Sequence, residues 1–418
     1  MNDVKIAIVS QYFFPETFRI NELTEELVRR GHSVTVLTGL PNYPKGSLFT
    51  GFSWLKGPWT QDYHGARVLR VPIIPRGRGK SWQLAINYLS FVFFALLLGL
   101  PRLRRQGEFD CIFVWASSPI TAAIPALVFG RNQRCPVHIW VQDLWPESIL
   151  AVGATRSSFV ISLIGAIVRW IYKRAHFLFS QSPSFTESLK CWGARDEQIV
   201  YLPNWADRIF ENQGPLNPSV ENSSGDFRIL FAGNIGHAQD MPTILGAAEL
   251  LPQDGSIKIV LVGQGTRRTW TEEQIRLRGL EKVVYVQPPR PVEEMPQLYR
   301  DHDVLMVTLT QDPHLARVLP SKVQTYLASG KPIVAAGDGE ISRTIEKARC
   351  GLVGPAGNPQ KLAENISSLR EMSSTQLQLL GENGKTYYWN EFSQVATIDR
   401  LEKLLRAAKD ECKTREAA

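Results

Sequence analysis

Short apolar runs alternate with helical patterns along the whole chain, and this pattern predicts an α/β protein. Helical patterns such as 21–30 and 183–192 lie between apolar strands, which is typical of parallel sheets covered on both faces. We therefore predict two doubly wound, Rossmann-like domains that face a cleft, with ligands outside the carboxyl ends of the strands. The predicted strands are 5–10, 33–39, 67–73, 111–116, 137–142, 176–182, 199–204, 228–234, 258–265, 283–288, 303–309 and 332–337.

A polar stretch at 212–226, rich in Pro, Asn and Ser, falls between the two alternations. This composition predicts a loop just past a domain boundary. We expect a first domain at 1–205, a second at 206–390, and a C-terminal helix at 391–418 that packs back towards the first. The first strand follows Met1 closely, so no signal peptide is expected.

Composition excludes several classes of protein. Hydrophobic residues make up 44% of the 418 positions and charged residues 21%, which excludes a wholly disordered, collagen-like or coiled-coil chain. The five cysteines lie far apart without a C-x-x-C pair. This spacing excludes a disulfide scaffold and the common zinc sites, and it fits a reducing cytoplasm.

The positive charge is concentrated in the first half of the chain. The net charge is +7, yet residues 1–205 hold 22 Lys/Arg against 13 Asp/Glu, and the remainder holds 25 against 27. Between Arg67 and Arg105 there are eight basic residues and no acidic one. Such one-sided charge indicates an anionic partner: nucleic acid, a phosphorylated ligand or a lipid surface.

An uncharged, aromatic segment at 81–101 lies inside this basic stretch and is long enough to span a bilayer. Strands predicted at 67–73 and 111–116 would then lie on opposite sides of the membrane, so we reject a spanning helix. Two interpretations of the segment remain: a buried core helix and a helix in the membrane interface. The aromatic residues favour the interface, as do the cations on both sides. The aromatic residues are Trp82, Tyr88, Phe91, Phe93 and Phe94, and the flanking cations are Arg76, Arg78, Lys80, Arg102, Arg104 and Arg105.

We therefore expect residues 81–105 to contact an anionic membrane surface. The segment 157–174 repeats the pattern of apolar run, aromatic residues and cations; it belongs either to the same surface or to the core. We expect no nucleic-acid partner, because the cations surround an apolar helix and do not interleave with exposed aromatic residues along a groove.

Two glycine-rich turns follow strands of the second domain. FAGNIGH (231–237) contains Gly233 and Gly236, and VGQGTRR (262–268) contains Gly265 and is followed by two arginines. Glycines at such turns let the backbone approach an anionic ligand, although a plain strand–helix turn has the same appearance. The dinucleotide motif G-x-G-x-x-G is absent, because Arg268 stands where Gly or Ala is required, and no P-loop motif occurs.

The segment 316–340 combines a helix start with cations. Pro320 and Ser321 predict a helix N-terminus with Ser321 near the N-cap, and Gly330 predicts its end. With Arg317 and Lys322 beside it, this N-terminus predicts a diphosphate site, the alternative being a solvated cationic turn. Glu340 ends the following strand, so we expect it to face the cleft.

Asp143 is the candidate for acid–base chemistry in the first domain. It ends the predicted strand 137–142, so its carboxylate is expected to point into the cleft. The alternative is an N-cap for a helix beginning near Pro146, with Glu147 favouring the helix dipole. Glu16 and Arg19, in the loop after the first strand, are candidates for donor or acceptor contact; the alternative there is an Asn21 helix cap.

Asp301-His302-Asp303 has the form of a metal-binding D-x-D motif. It joins a helix end to a strand, where a structural Asp is expected, so we assign no metal.

The motifs together carry a family resemblance. GNIG, VGQG and PSK-x-x-x-Y-L-A-S-G-K-P-I-V resemble the retaining glycosyltransferases of family 4, which have the GT-B fold. The N-terminal motifs are similar to the branch that contains fucosamine and colanic-acid glycosyltransferases of O-antigen and capsule assembly. These motifs are QYFFPE (11–16), TGLPNYPKG (38–46), SSP (117–119) and QDLWPES (142–148).

The resemblance implies a nucleotide-sugar donor on the C-terminal domain and the acceptor on the N-terminal domain. The sequence departs from the family at two places. Arg317 and Thr325 replace the two carboxylates of the Glu-x₇-Glu motif, and Asn234 and Gln239 replace an Arg/Lys pair after the first strand of the second domain. Cations for the diphosphate must then come from elsewhere, and the candidates are Arg267, Arg268, Arg317 and Lys322.

The cysteine usage and the segment 81–105 indicate a cytoplasmic enzyme, peripheral to the inner face of the plasma membrane, and the resemblance implies that it retains anomeric configuration. Its expected donor is a UDP-linked N-acetylhexosamine or deoxy derivative such as fucosamine, and its acceptor a polyprenyl-diphosphate-linked saccharide. No cofactor or metal is expected. A UDP-sugar 2-epimerase and an inactive scaffold homologue are the alternatives. Asp143 is the expected catalytic residue, and the expected donor-binding residues are Gly233, Asn234, Gly236, Gly265, Arg268, Arg317, Ser321, Lys322 and Glu340.

Overall fold

The computed structural model describes residues 3–151, 157–211 and 225–417, and the loop predicted at 212–226 lies almost wholly outside them. The chain divides into two compact units. The first unit is Met1–Leu202 together with Ile398–Ala418, and the second is Pro203–Thr397.

The first unit is built on an eight-stranded sheet whose order is β3-β4-β2-β1-β5-β6-β7-β8. Only β3 is antiparallel to its neighbour. Its strands are β1 Lys5–Val9, β2 Ser33–Gly39, β3 Thr60–Tyr63, β4 Ala66–Val71, β5 Cys111–Ala116, β6 Val137–Val141, β7 Phe177–Ser180 and β8 Ile199–Tyr201. Its helices are α1 Arg19–Arg29, α2 Ser81–Phe94, α3 Leu100–Arg104, α4 Ala123–Gln133, α5 Glu147–Ala151, α6 Ser158–Tyr172 and α7 Phe185–Cys191, with a π-helical turn at Ala95–Gly99 between α2 and α3.

The second unit has a six-stranded, fully parallel sheet. In the order β11-β10-β9-β12-β13-β14, its strands are β9 Phe227–Ala232, β10 Ile257–Val262, β11 Val284–Gln287, β12 Val304–Thr308, β13 Ile333–Ala336 and β14 Gly351–Gly354. The helices are α8 Arg208–Glu211, α9 Met241–Leu250, α10 Arg268–Leu277, α11 Met295–Arg300, α12 Ser321–Ser329, α13 Glu340–Ala348, α14 Pro359–Glu371, α15 Ser374–Glu391 and α16 Gln394–Ala417. From Ile398 onward, α16 belongs to the first unit, where Arg30 pairs with Asp399 and Glu402.

Alternate residues of β9 enter different cores, as expected for a sheet buried on both faces. Ile229 and Phe231 belong to one apolar cluster, and Leu230 and Ala232 belong to another. The predicted α/β architecture with two Rossmann-like parallel sheets is confirmed. Two edge strands were not predicted: β3 is polar and half exposed, and β14 is a four-residue strand with glycine at both ends.

The helical run Ser81–Arg104 packs one face on the first sheet. A Cβ at Gly99 would meet Leu37 of β2 and Val71 of β4, and a Cβ at Gly130 of α4 would meet Ile112 of β5. Strand register places Leu37 and Ile112 on the same sheet face, so α2, α3 and α4 share one layer. By length and composition, this run is the one described helix that could cross a membrane. However, β4 before it and β5 after it belong to the same sheet.

The opposite face of this run is apolar and exposed. Trp82, Leu89 and Phe93 are each about 60% exposed, at 61%, 63% and 59%. Phe91 is fully buried, so its inclusion among the interface residues was wrong: it lies on the face that packs against the protein. The helix α6 also exposes apolar side chains, including Phe159 at 76%.

Candidate active site

The donor-side glycines lie where two neighbouring strands of the second sheet end. Gly263 and Gly265, after β10, have φ of +156° and +158°, and Gly233, after β9, has φ of +137°. A Cβ at Gly263 would collide with the Gly233 carbonyl oxygen, and one at Gly265 with that of Ile235. Glycine is therefore required for the two turns to approach each other. Gly263 was not among the predicted site residues, although it lies in the same motif.

Backbone hydrogen bonds join the two turns. The Gly233 N–H donates to Val262, the Ile235 N–H to Gln264 and the Arg267 N–H to Ile235, at 2.9, 2.8 and 2.9 Å. Asn234, where the family has a cation, donates its side-chain amide to Gln239. A Cβ at Gly236 would lie within 2.5 Å of the Asn234 amide nitrogen, so this turn is also tightly packed.

The helix α12 begins beside the end of β9. The Tyr326 hydroxyl accepts a hydrogen bond from the Ala232 N–H at 3.1 Å, which fixes the helix against the strand. Lys322 lies one turn earlier on the same helix face. The helix is capped by Pro320 without a side-chain bond, and Ser321 is its first residue, in agreement with the predicted helix start. Gly330 ends the helix with φ of +70°, as predicted.

Lys322 carries a buried ammonium group without a hydrogen-bond partner among the described residues. Its Nζ lies 3.8 Å from the centre of the Phe231 ring. A Cβ at Gly233 would lie 3.2 Å from the same nitrogen, so the ammonium sits directly under the glycine turn. Burial lowers the pKa of Lys322 to about 7. The ring face offers a weak cation–π contact, which leaves the hydrogen-bonding capacity of the ammonium unused.

The other predicted donor-side residues have protein partners. The Arg268 guanidinium donates to the carbonyls of Gly263 and Gln287 and pairs with Glu272, contacts that hold β10 and β11 together. Glu340 is buried and pairs with Arg343 at 2.6 Å. These contacts favour structural roles for Arg268 and Glu340.

Arg317 lies in the short 3₁₀ turn Leu315–Arg317. A Cβ at Gly339, whose φ is +67°, would collide with the Ala316 carbonyl oxygen. The turn containing Arg317 therefore packs against the start of α13.

In the first unit, Asp143 lies two residues beyond β6 and is half-buried. The Ser118 hydroxyl donates to its Oδ2 at 2.8 Å, and the Trp145 indole N–H donates to the Ser118 oxygen at 3.1 Å. Burial raises the pKa of Asp143, and the Ser118 hydrogen bond opposes that rise. A carboxyl with a raised pKa is a better proton acceptor than an ordinary one, and a fixed hydroxyl partner orients it.

The alternative role of Asp143 as a helix cap receives no support from these contacts. The following helix, α5, begins only at Glu147, and the side chain of Asp143 is bonded to Ser118. Glu147 accepts hydrogen bonds from Ser188 and from the Trp192 indole, the latter at 3.0 Å. Glu147 thus ties α5 to α7.

Glu16 is buried and joins two loops. Its carboxylate accepts the N–H groups of Phe13, Asn42 and Tyr43 at 3.1, 2.8 and 2.7 Å. Burial raises the pKa of Glu16 to about 7, against the lowering effect of these three bonds. Because three backbone N–H groups occupy its carboxylate, we interpret Glu16 as a structural residue that holds these two loops together.

Its predicted companion Arg19 is the first residue of α1 and pairs with Glu22 at 2.8 Å. The alternative for this loop, an Asn21 helix cap, was wrong: Asn21 is the third residue of α1, and its amide donates to the Glu16 carbonyl.

A polar network behind this loop was missed at the level of sequence. Asn87, on the buried face of α2, accepts from Gln11 at 2.7 Å and from the Tyr12 hydroxyl at 3.3 Å. Its amide donates to the Ile74 carbonyl at 2.6 Å and to Asn42 at 3.3 Å. The available signal was a single Asn inside an otherwise apolar helix.

The D-x-D segment forms hydrogen bonds within the second unit. Asp303 accepts the Arg228 N–H at 2.7 Å, Asp301 accepts the Gln297 amide at 2.6 Å, and the His302 ring bonds the Leu298 carbonyl at 2.7 Å. Among the residues that the structure describes, no cluster of His, Cys, Asp and Glu could hold a metal ion.

Two known protein-family domains match successive parts of the chain. Residues 17–205 match the glycosyl transferase 4-like domain, and residues 216–387 match the glycosyl transferases group 1 domain. A putative colanic acid biosynthesis glycosyl transferase, WcaI of Escherichia coli K12, is 24% identical over 78% of this chain and 82% of its own length. A GDP-mannose-dependent alpha-mannosyltransferase of Mycobacterium tuberculosis is 23% identical over 85% of each chain.

Solved structures share the fold. Anabaena Alr3699/HepE in complex with UDP has a TM-score of 0.70 at 17% identity, covering 96% of this chain and 100% of its own. Sucrose-phosphate synthase of Thermosynechococcus elongatus has a TM-score of 0.69 at 16% identity, covering 97% and 98%. The two domain matches together span most of the chain, and the protein therefore belongs to the GT-B glycosyltransferases that combine a glycosyl transferase 4-like domain with a group 1 domain.

Proposed function

We propose that this glycosyltransferase moves a sugar from a UDP-linked donor to a polyprenyl-diphosphate-linked saccharide in surface polysaccharide assembly. The proposed sugar is an N-acetylhexosamine or a deoxy derivative such as fucosamine. Two similarities support the proposal: the Anabaena structure contains UDP, and the Escherichia coli relative is named for colanic acid biosynthesis.

The observation that carries the donor assignment is the buried ammonium of Lys322, which has no hydrogen-bond partner in the described ranges of the chain. A buried cation without a partner destabilises a protein, so its presence indicates an anionic ligand that completes it. It lies in the first turn of α12, whose N-terminal amides and dipole favour an anion. The donor diphosphate, bound over the Gly233 turn, would pair with Lys322. The same charge would stabilise the nucleoside diphosphate as it leaves. We propose that this site needs no metal or cofactor.

Asp143 is the proposed residue that orients the acceptor hydroxyl. Its ionised carboxylate would accept a hydrogen bond from the acceptor hydroxyl and align it for attack. In the retaining mechanism that we propose, the departing phosphate takes the acceptor proton. Asp143 then orients the hydroxyl and does not form a covalent intermediate.

We also propose that the enzyme is cytoplasmic and lies on the inner face of the plasma membrane through the exposed side of α2. Trp82, Leu89 and Phe93 form an apolar row, and cations lie before and after it in the chain. An apolar face with cationic flanks favours binding in the interface of an anionic bilayer.

The donor assignment is tested with purified protein, a panel of UDP- and GDP-sugars, and membrane extract as the source of acceptor. We expect UDP release and sugar incorporation into lipid with one UDP-sugar, insensitive to EDTA. Proton NMR of the product gives its anomeric configuration. Release of nucleotide from GDP-sugars alone would contradict the UDP assignment, and interconversion of free UDP-sugars would indicate the epimerase.

The membrane assignment is tested by cosedimentation with vesicles of phosphatidylglycerol and phosphatidylethanolamine. The triple change Trp82→Ser, Leu89→Ser and Phe93→Ser should release the protein into the supernatant with its circular dichroism unchanged. Phe91→Ser, on the buried face of the same helix, should instead lower thermal stability. Unchanged sedimentation of the triple variant would contradict a membrane role for this face.

A further inference from the structure

The helix α2 contributes to two surfaces at once. Its outer face is the row formed by Trp82, Leu89 and Phe93, and its inner face places Asn87 in the polar network with Gln11, Tyr12 and Asn42, next to Tyr88. The Tyr88 ring contacts Trp145, with ring centres 6.2 Å apart, and Trp145 in turn bonds the Ser118–Asp143 pair. A molecule held near Asp143 therefore lies close to the helix proposed to enter the membrane interface.

The loop that leads into this helix contains two arginines, Arg76 and Arg78. Arg76 lies between β4 and α2, and its N–H donates to the Asn42 side chain at 3.1 Å. Its guanidinium stacks over the Tyr43 ring, with its central carbon 4.8 Å from the ring centre. Among the described residues, no carboxylate lies within ion-pair distance of Arg76.

The charges of Arg76 and Asp143 both act on the Tyr88 hydroxyl. Burial raises the pKa of Tyr88, the charge of Arg76 opposes that rise, and the charge of Asp143 adds to it. Both charged groups are therefore near the same hydroxyl. Contacts connect the same groups: Arg76 and Asn87 both donate to the Asn42 side chain, and Tyr88, next to Asn87, contacts Trp145 of the Ser118–Asp143 pair.

From this arrangement, and on the basis of the proposed function, we infer that Arg76 binds the acceptor's phosphate or diphosphate group. The substrate class of the acceptor side is then an amphiphile in which an anionic group joins the sugar to a lipid chain. The stacked guanidinium is held in place by Tyr43 and keeps its planar donor edge for two phosphate oxygens. The sugar end would reach Asp143, and the lipid would leave along the outer face of α2.

The inference is tested by ligand binding without any donor. Farnesyl diphosphate and farnesol serve as probes, and binding is followed by tryptophan fluorescence and by calorimetry. We expect the wild-type protein to bind farnesyl diphosphate and not farnesol at the same concentration. Arg76→Ala should weaken binding of farnesyl diphosphate by about 10–100-fold, the range for losing charge-assisted hydrogen bonds. Arg76→Lys should recover part of that loss, because it keeps the charge without the planar fork.

Arg78→Ala is the matched control, since it removes the same charge from an exposed position of the same loop. It should change binding of the probe by less than about threefold, well under the range for Arg76. Equal losses in both variants, equal binding of farnesol, or a loss of UDP affinity in Arg76→Ala would each overturn the inference. Failure of the proposed transferase function is distinguishable, because it would appear as no sugar transfer from any donor while binding of the diphosphate probe remained measurable.

Discussion

Asp143, which is half-buried, and Lys322, whose ammonium is buried, are titratable groups in different units, and their surroundings differ in kind. Asp143 is held by a chain of two hydrogen bonds from Ser118 and Trp145. The ammonium of Lys322 lies over the face of Phe231 and has no hydrogen-bond partner within the part of the chain that the structure describes. The first group is oriented before any ligand arrives, and the second lacks the anion that would satisfy it.

This difference indicates different tasks. A group that positions a reacting hydroxyl gains from being fixed in advance, because misorientation costs rate directly. A group that binds a diphosphate gains from being unsatisfied, because it loses no protein partner when the ligand binds. The two residues can therefore be separated by experiment: changes at Asp143 should act on transfer, and changes at Lys322 on nucleotide binding.

Asp143→Asn is expected to have the largest effect. Asn keeps the shape and can still bond Ser118 but cannot carry the charge that aligns the acceptor hydroxyl, so transfer should fall by about 10²-fold or more. UDP affinity should change little, because the proposed nucleotide site is in the other unit. Transfer rate and UDP dissociation constant are measured on the same preparation.

Glu147→Gln is the control for Asp143, because it alters a neighbouring carboxylate that bonds Ser188 and Trp192. The main effect of Glu147→Gln should be on thermal stability, and its effect on the transfer rate should be small. Near-normal transfer in Asp143→Asn would make Asp143 structural and remove the contrast with Lys322.

Lys322→Met is expected to have the next largest effect and to act on the donor. Loss of a charge-assisted contact of about 1.5–3 kcal/mol should reduce the donor kcat/KM and UDP affinity by about 10–100-fold. Lys331→Met is the control, since the Lys331 ammonium donates to the Arg300 carbonyl at 3.0 Å and lies outside the proposed site. If both variants bind UDP like the wild type, the diphosphate does not contact Lys322.

The contrast also shows what the sequence could and could not predict. Apolar runs bounded by turns located most strands, and β2 and β5 were predicted to the residue. Strand β3 was missed because its pairing with β4 uses polar residues at the sheet edge, where no apolar pattern exists. Lys322 and Asp143 were selected as site candidates from their positions at a helix start and a strand end.

Their environments were not predictable, because they depend on residues distant in the chain. The burial of Lys322 depends on Phe231 and Gly233, about ninety positions earlier. Arg268 was selected for its charge, but its hydrogen bonds to two strand-end carbonyls become visible only in the fold. Residue type identifies which groups can do chemistry, and tertiary contacts decide which of them are available.

The pH dependence of UDP binding is expected to be a smaller effect and sharpens the same comparison. Burial lowers the pKa of Lys322 to about 7 in the free protein, and a bound diphosphate would raise it. UDP binding then takes up a proton above pH 7, so affinity should fall as pH rises, by up to about tenfold per unit. Calorimetry on the wild type and on Lys322→Met at each pH separates this effect from the titration of UDP itself. Identical slopes in the two proteins would contradict the assignment.

Replacing Lys322 should raise thermal stability even though it lowers UDP affinity. The folded-state pKa of about 7 is below the unfolded value of 10.5, so the unfolded chain binds more protons between these values. The buried ammonium therefore destabilises the fold fully below pH 7, and this penalty diminishes as pH rises towards 10.5.

Lys322→Met should remove a cost of about 1–3 kcal/mol and raise Tm at pH 6.5, with a smaller gain at pH 9. Asp143→Asn removes no buried cation, so no such gain in Tm is expected for that variant. A Tm of Lys322→Met equal to or below that of the wild type at pH 6.5 would show that the ammonium has a partner in the free protein, and the contrast between the two sites would fail.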